Sequence, residues 1–409
     1  MDEISRQSEE DEPVDMRSFL SNPGFHVADL ADLDMQCGCG RRHRVPIRHI
    51  VTGAGALEAL PDIASEFAGK NALITADTRT WALAGARVEA LLTGAGVNVR
   101  AHVFSRRAHY VTDEAAIGEL LVALPPDTDV IVAVGSGTMN DIARVVSLRC
   151  GVPYMIVGTA PSMDGYASST SAVIAGGEKI SVPLGPPMAI VMDTDLLVTA
   201  PEEMLSAGIG DVLGKHVTLA DWRLAAREGR EHLCGELFAL IGAACRRCQA
   251  GYRGVLARDP AAVGDMAETL VMAGAAISMF GTSRPCAGSE HQLAHAWEVA
   301  ALERGQTSLH GNYVGLGTVA AILLYRAAAR EFDFDDLGYA LPDPDAIADI
   351  FTAAGGWALK EKLGVDRELF ESAFTHAART HPRYTLLTFL EERGRLGALA
   401  AEVTARMYD

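Results

Sequence analysis

Between about residues 45 and 200, short aliphatic runs alternate with helix-like stretches, and this alternation constrains the chain more than any other feature. The runs are NALITAD (71–77), NVRAHVF (98–104), DVIVAVGSG (129–137), PYMIVGTA (153–160) and AIVMDTD (189–195). Stretches such as TRTWALAGARVEALLTGAG and MNDIARVVSLRCG lie between them. Strand, helix and strand at this spacing predict a parallel sheet covered by helices, whose ligands bind beyond the carboxyl ends of the strands. After Pro201 the strand-like runs stop and helical periodicity continues through LFALIGAACRRC, DMAETLVMAGAAISMF and YVGLGTVAAILLYRAAARE. The expected organisation is an acidic extension over 1–44, an α/β domain over 45–200 and an all-α C-terminal domain over 201–409.

Composition narrows the partners. Hydrophobic residues make up 49 % and charged residues 22 %, as in a soluble globular protein. No window of about 18 uncharged apolar residues appears, so no membrane span is expected. The formal charge of −18, from 35 basic and 53 acidic side chains, argues against a nucleic-acid partner. It leaves room for an anionic substrate, which needs only a local basic pocket. The opening MDEISRQSEEDEPVD has no apolar core, so it reads as a partly disordered tail and not as a secretory signal.

Seven cysteines without a disulfide framework suit a reducing cytoplasm. CGCGRRH (Cys37, Cys39, His43) resembles half a zinc site, but no second pair stands nearby and a turn with two thiols is expected. Cys245 and Cys248 form a CxxC within a helical stretch and read as ordinary helix residues.

Two groups of residues suggest chemistry. In AVGSGTMNDIARVV, Gly135, Ser136, Gly137 and Thr138 separate an apolar strand from a helix. Such a turn brings backbone N–H groups and a helix dipole to a phosphate, although plain tight turns share the pattern. Asp77 closes NALITAD, either as a ribose acceptor that would repel a 2′-phosphate or as the cap of the following helix. In the second half, GSEHQLAHAWE places His291 and His295 at i and i+4, on one helix face. QTSLHGNYVGLG adds His310, and SAGIGDVLGKH supplies Asp211 and Lys215. Any one histidine alone fits a packed or surface residue. Together with a carboxylate, the set suits a catalytic divalent metal, although spacing does not assign the carboxylate.

Taken in order, GSGTMND, TAPSMDGYAS, GIGD, EHQLAH and LHGNYVGLG resemble the sn-glycerol-1-phosphate dehydrogenase family. That family lies within the iron-dependent alcohol dehydrogenase, glycerol dehydrogenase and dehydroquinate synthase superfamily. The resemblance spans roughly residues 45 to 400, and PSMDGYAS is its most specific element. It implies a Rossmann-like N-terminal domain that binds NAD, with NADP possible, and a helical domain that binds one divalent metal ion, zinc, nickel or iron. By the same resemblance Asp211, His291 and His310 are the metal ligands, and His295 faces the substrate. Gly135, Ser136, Gly137, Thr138 and Asp141 surround the pyrophosphate, while Thr159, Ser168 and Thr170 line the adenine or nicotinamide ends. Asp164, the one charged group of APSMDGYASSTS, meets the substrate.

The implied reaction interconverts dihydroxyacetone phosphate and sn-glycerol 1-phosphate in a homo-oligomer, with His295 as proton relay. Lys215 is the candidate for contact with the substrate phosphate, with a helix-surface lysine as the alternative reading. Two rivals stay open. A dehydrogenase for an unphosphorylated polyol would use the same residues. A dehydroquinate-synthase-like cyclase would carry Glu at the position of Asp211.

Overall fold

The five expected runs lie side by side in one sheet. In the computed structural model, which describes residues 25–107, 109–306, 308–380 and 383–409, they form β4 (Asn71–Asp77), β5 (Asn98–Phe104), β6 (Val130–Gly135), β7 (Tyr154–Gly158) and β10 (Ala189–Asp193). A sixth strand, β3 (His49–Gly53), joins them in the order β3-β10-β7-β6-β4-β5, every pair parallel. Every residue of β6, β7 and β10 is buried, which explains their unbroken aliphatic runs. β3 sits at one edge, and its half-buried HIVTG carries too weak a pattern to stand out in the sequence.

Two antiparallel hairpins lie outside this sheet. β1 (Asp34–Gln36) pairs with β2 (Arg42–Arg44), and β8 (Thr170–Ala175) with β9 (Glu178–Pro183). The acidic extension is therefore folded where it is described. Val27, Leu30, Met35 and Cys37 are buried in the main core, while residues 1–24 lie outside the described residues.

Beyond β10 the described chain is helical. The helices that build the site are α1 (Gly137–Cys150), which follows β6, and then α2 (Glu202–Arg227), α3 (Gly235–Leu256), α4 (Pro260–Phe280), α5 (Ser289–Glu303) and α6 (His310–Ala328). α2 is buried on all sides from Leu205 to Trp222, so it is the central post of the helical half. α4 is long and apolar enough to cross a membrane by composition, yet most of it packs inside the protein as a core helix. Cys245 and Cys248 are buried residues of α3, as expected of ordinary helix positions.

The two halves meet backbone to backbone. A Cβ on Gly208 of α2 would run into the Pro161 carbonyl, in the loop after β7. Gly208→Ala should therefore destabilise by about 1–3 kcal/mol, the usual cost of overpacking. Gly118, with open space around its Cα inside the helix Glu114–Ala123, should gain about 0.5–1 kcal/mol on Gly118→Ala. Urea unfolding of both variants checks the contrast, and equal effects would show that the approach at Gly208 is not tight.

Candidate functional site

The chain leaves β4 toward β5 and leaves β6 in the opposite direction, toward β7. The connections from these neighbouring strands diverge, and open α/β sheets bind ligands in the crevice so formed. Asp77 stands on one side of it and Gly135, Ser136, Gly137 and Thr138 on the other. Ser136 is extended and α1 begins at Gly137, so the first N–H groups of a 14-residue helix lack intrahelical partners there. Asp77 caps the next helical turn, with Oδ1 accepting the N–H groups of Arg79 and Thr80, each at 2.8 Å. The capping reading therefore holds, and the carboxylate still stands at the crevice.

The loop 160–171 is held from three sides. From α1, the buried Arg144 guanidinium donates to the carbonyls of Gly165, Tyr166 (3.2 Å) and Thr170 (2.9 Å) and to the Tyr154 hydroxyl (2.8 Å). Asp141 pairs with Arg144 at 2.9 Å and accepts from the Ser171 hydroxyl at 3.1 Å. Its carboxylate thus faces the loop, which corrects the expectation that it belongs to the phosphate turn. α4 supplies the second hold, with Ser278 Oγ donating to the Ala167 carbonyl at 2.6 Å. Thr159 N–H donates to the Gly135 carbonyl at 3.1 Å and ties the two strand ends together. Ser168 Oγ accepts the Thr170 N–H at 2.9 Å and lies 3.1 Å from the Thr170 hydroxyl, a local turn within the loop.

The third hold is ionic. Asp211 and Lys215 lie one turn apart on buried α2, where unpaired charge would be prohibitive. Lys215 Nζ reaches the Asp211 carbonyl (2.9 Å), Asp211 Oδ1 (3.0 Å) and Asp164 Oδ2 (2.9 Å). Asp211 Oδ2 also accepts the Asp164 N–H at 2.7 Å. Burial opposes the lysine's charge, but Asp164 and Asp211 outweigh it and hold the group well above the ordinary lysine range. Burial likewise pushes the Asp211 carboxyl up, and Lys215 and His291 hold it well below the usual carboxylate range.

These contacts correct two expectations. Lys215 is fully buried with its three donors engaged, so it is neither a surface lysine nor a clamp for the substrate phosphate. Asp164 turns its carboxylate toward Lys215, making it an anchor of the loop.

Three imidazoles converge beside this cluster. His291 lies 5.2 Å from His310, and His295 lies 5.3 Å from His310 and 6.4 Å from His291, centroid to centroid. His291 Nε2 is 3.5 Å from Asp211 Oδ1, and its Nδ1 is 2.8 Å from Glu290 Oε1. Burial lowers its affinity for a proton, but Asp211 and Glu290 outweigh that and raise the imidazole to about 9. A divalent cation would meet the same field and take the proton's place at Nε2.

His310 Nδ1 sits 2.9 Å from Glu298 and 3.3 Å from Lys179 Nζ, and burial together with Lys179 keeps the ring's pKa below its ordinary value. A neutral imidazole with Nδ1–H given to a carboxylate is the form that binds metals through Nε2. Ligand atoms of His295, Glu298 and His310 all lie within 4.8 Å of one another, so Glu298 is a further donor at this face. The donor set fits a divalent ion: buried carboxylate and imidazoles, with outer carboxylates orienting the rings.

Glu290, Glu298, Lys179 and Arg144 escaped the sequence reading. Glu298 was within reach of it, because positions 291, 295 and 298 are i, i+4 and i+7 on one helical face. Lys179 lies on β9 and pairs across the halves with Glu298 at 2.6 Å, a contact without local sequence signal.

Residues 51–201 match the family model for iron-containing alcohol dehydrogenase. A glycerol-1-phosphate dehydrogenase [NAD(P)+] from Halalkalibacterium halodurans is 32 % identical over 87 % of this chain and 96 % of its own. The chain belongs to the glycerol-1-phosphate dehydrogenase family. A relative with the same printed activity from Methanosarcina barkeri is 31 % identical over 88 % of this chain and 94 % of its own. The fold agrees with a probable glycerol dehydrogenase from Sinorhizobium meliloti (TM-score 0.65, 19 % identity, 88 % of this chain and 98 % of that one). It agrees as well with an iron-containing alcohol dehydrogenase from Thermotoga maritima (TM-score 0.64, 16 % identity, 89 % and 99 %). As in any member of this glycerol-1-phosphate dehydrogenase family, an NAD(P) cofactor and a divalent metal serve the reaction.

Because Asp164 compensates a buried lysine, Asp164→Asn should cost stability as well as turnover. A loss of about 1–3 kcal/mol is expected, less than for a fully broken buried pair because Asp211 remains. The check is urea unfolding of the metal-loaded variant beside its kinetics. An unchanged midpoint would place Asp164 outside the ion cluster.

Proposed function

We propose that this chain interconverts dihydroxyacetone phosphate and sn-glycerol 1-phosphate with NAD(P)(H), using Asp211, His291 and His310 to hold the divalent metal. The observation that carries the reading is the double engagement of Asp211. One of its oxygens takes the N–H of Asp164, in the family's most specific loop, and the other faces His291 Nε2 at 3.5 Å. Loop and metal ligands therefore form one site. When bound, the metal supplies Lewis acidity toward the substrate oxygen, and the nicotinamide supplies or accepts hydride.

The chain's own residues do the rest. Backbone N–H groups at Gly137 and Thr138 hold the pyrophosphate, and Ser136 keeps the approach extended. Thr159, Ser168 and Thr170 lie along the loop that carries the nicotinamide end. Arg144 and Asp141 fix that loop, and Lys215 keeps Asp211 and Asp164 ionised by its fixed positive charge. Glu290 and Glu298 hold the Nδ1 protons of His291 and His310 and leave Nε2 of each as the ligand atom. His295 relays the proton between the substrate oxygen and solvent through an imidazole nitrogen. The near-full-length agreement with phosphate-specific relatives favours the phosphorylated substrate over a free polyol. An aspartate at 211 argues against the cyclase.

The decisive assay offers dihydroxyacetone phosphate, NADH and a panel of divalent metals, and scores the configuration of the product. sn-Glycerol 1-phosphate is expected. Reduction of free dihydroxyacetone alone, or cofactor returned unchanged, would overturn the reading.

His310→Ala should lose bound metal and nearly all turnover while remaining folded. Glu298→Gln should weaken metal affinity by about 10–100-fold, as changes to groups that orient metal-binding histidines do. Metal titration followed by circular dichroism checks both, and full activity in metal-free His310→Ala protein would dismiss the ligand assignment. NAD(H) should be preferred over NADP(H), because Asp77 sets a negative charge at the ribose end. Asp77→Ser keeps a good cap and removes the charge, so the preference should narrow about fivefold, equivalent to ~1 kcal/mol of repulsion in a solvated site. Native use of NADPH at least equal to NADH would reject this role for Asp77.

A further inference from the structure

Far along the sequence from the aspartate and histidines of the active site, a second donor cluster joins the N-terminal extension to the helical half. Cys37, Cys39 and His43 come from the β1–β2 hairpin, and Cys234 stands immediately before α3. Their four ligand atoms all lie within 4.8 Å of one another. We propose that Cys37, Cys39, His43 and Cys234 form a structural zinc site that staples residues 25–44 to the helical domain. The half-site in CGCGRRH lacks a partner in the sequence because the missing thiol lies 191 residues beyond His43. Only the fold brings it in.

Three observations carry the assignment. The first is spacing. Zinc–sulfur bonds of about 2.3 Å and zinc–nitrogen bonds of about 2.0–2.1 Å in a tetrahedron put sulfur ~3.8 Å from sulfur and ~3.5 Å from nitrogen. Here Cys37 Sγ is 3.7 Å from Cys234 Sγ, and His43 Nε2 is 3.5 Å from Cys39 Sγ and 3.3 Å from Cys234 Sγ.

The second is the direction of the histidine. His43 is 1 % exposed, and its Nδ1 lies 2.8 Å from the Met279 carbonyl, an acceptor only, so Nδ1 carries the hydrogen. In a neutral ring the lone pair is then on Nε2, directed at the sulfurs. A backbone carbonyl holding the other nitrogen is the usual support of a metal-binding imidazole.

The third is the setting of the thiols. The Cys39 N–H points at Cys37 Sγ at 3.5 Å, and Cys234 occupies the N-terminal end of the 22-residue α3. Both a backbone N–H and a helix N-terminus favour a thiolate.

Soft thiolates with one imidazole select zinc among common divalent ions, and four protein ligands leave no open position, as in structural sites. Binding would expel three thiol protons and leave the assembly with one net negative charge. Zinc held here fixes the carbonyl of Met279 on α4, one residue beyond Ser278, which holds the Ala167 carbonyl of the active-site loop.

The experiment uses the full chain. Zinc-grown protein should contain one equivalent of zinc that survives His310→Ala and is lost in Cys234→Ser, with a lower melting temperature in the latter. Cobalt-substituted His310→Ala protein should show thiolate-to-cobalt charge-transfer absorption and the intense visible bands of a tetrahedral ion. This second readout needs no cysteine variant, so misfolding of Cys234→Ser would not blunt the test. Folded, cobalt-treated His310→Ala protein without a thiolate band would overturn the site. So would a Cys37–Cys234 disulfide in protein purified without air, mapped by non-reducing peptide mass.

Discussion

The ammonium of Lys215, buried between Asp211 and Asp164, is the interaction on which the active site depends. It lets two carboxylates remain ionised inside a helix that is otherwise apolar on all sides. Without it, burial would drive both toward the neutral form, and a neutral Asp211 is a poor ligand for a cation. Breaking such a pair typically costs about 3–5 kcal/mol because the partner stays buried and uncompensated. The lysine also fixes a distance. It draws the loop after β7 against α2, and Gly208 allows the backbones to close.

Arg144 plays the matching part from the other side. Its guanidinium takes up the carbonyls of a loop that has little regular structure of its own and that would otherwise leave them buried without donors. The loop is thus rigid by virtue of two charged side chains, one from each half of the protein. Its sequence of small residues reflects how closely those halves approach.

Much of this was legible in the sequence, for reasons particular to each element. β6 and β7 are central strands buried on both faces, so they read as unbroken aliphatic runs. β3 lies at the edge, half-exposed, and gave no such signal. The histidines of α5 could be found because i and i+4 share a face, while the ring contacts of His310 depend on where α6 starts. Lys215 was misread because helical periodicity on α2 vanishes when every face is buried, which leaves no polar stripe to mark inside from outside. Arg144, Lys179 and Cys234 act through partners 21 to 191 residues away, and no local pattern encodes those distances.

The hairpin β8–β9 has a consequence for the order of events in the cleft. Lys179 at its tip-side strand shares Glu298 with His310, so one carboxylate serves both as a latch between the halves and as the group that sets the histidine's basicity. Any excursion that lifts the hairpin frees Glu298 to draw more strongly on the Nδ1 proton, and the imidazole becomes a better donor as the cleft opens. Domain opening and metal affinity are then two readings of a single equilibrium. Whatever shifts one must shift the other by the same free energy.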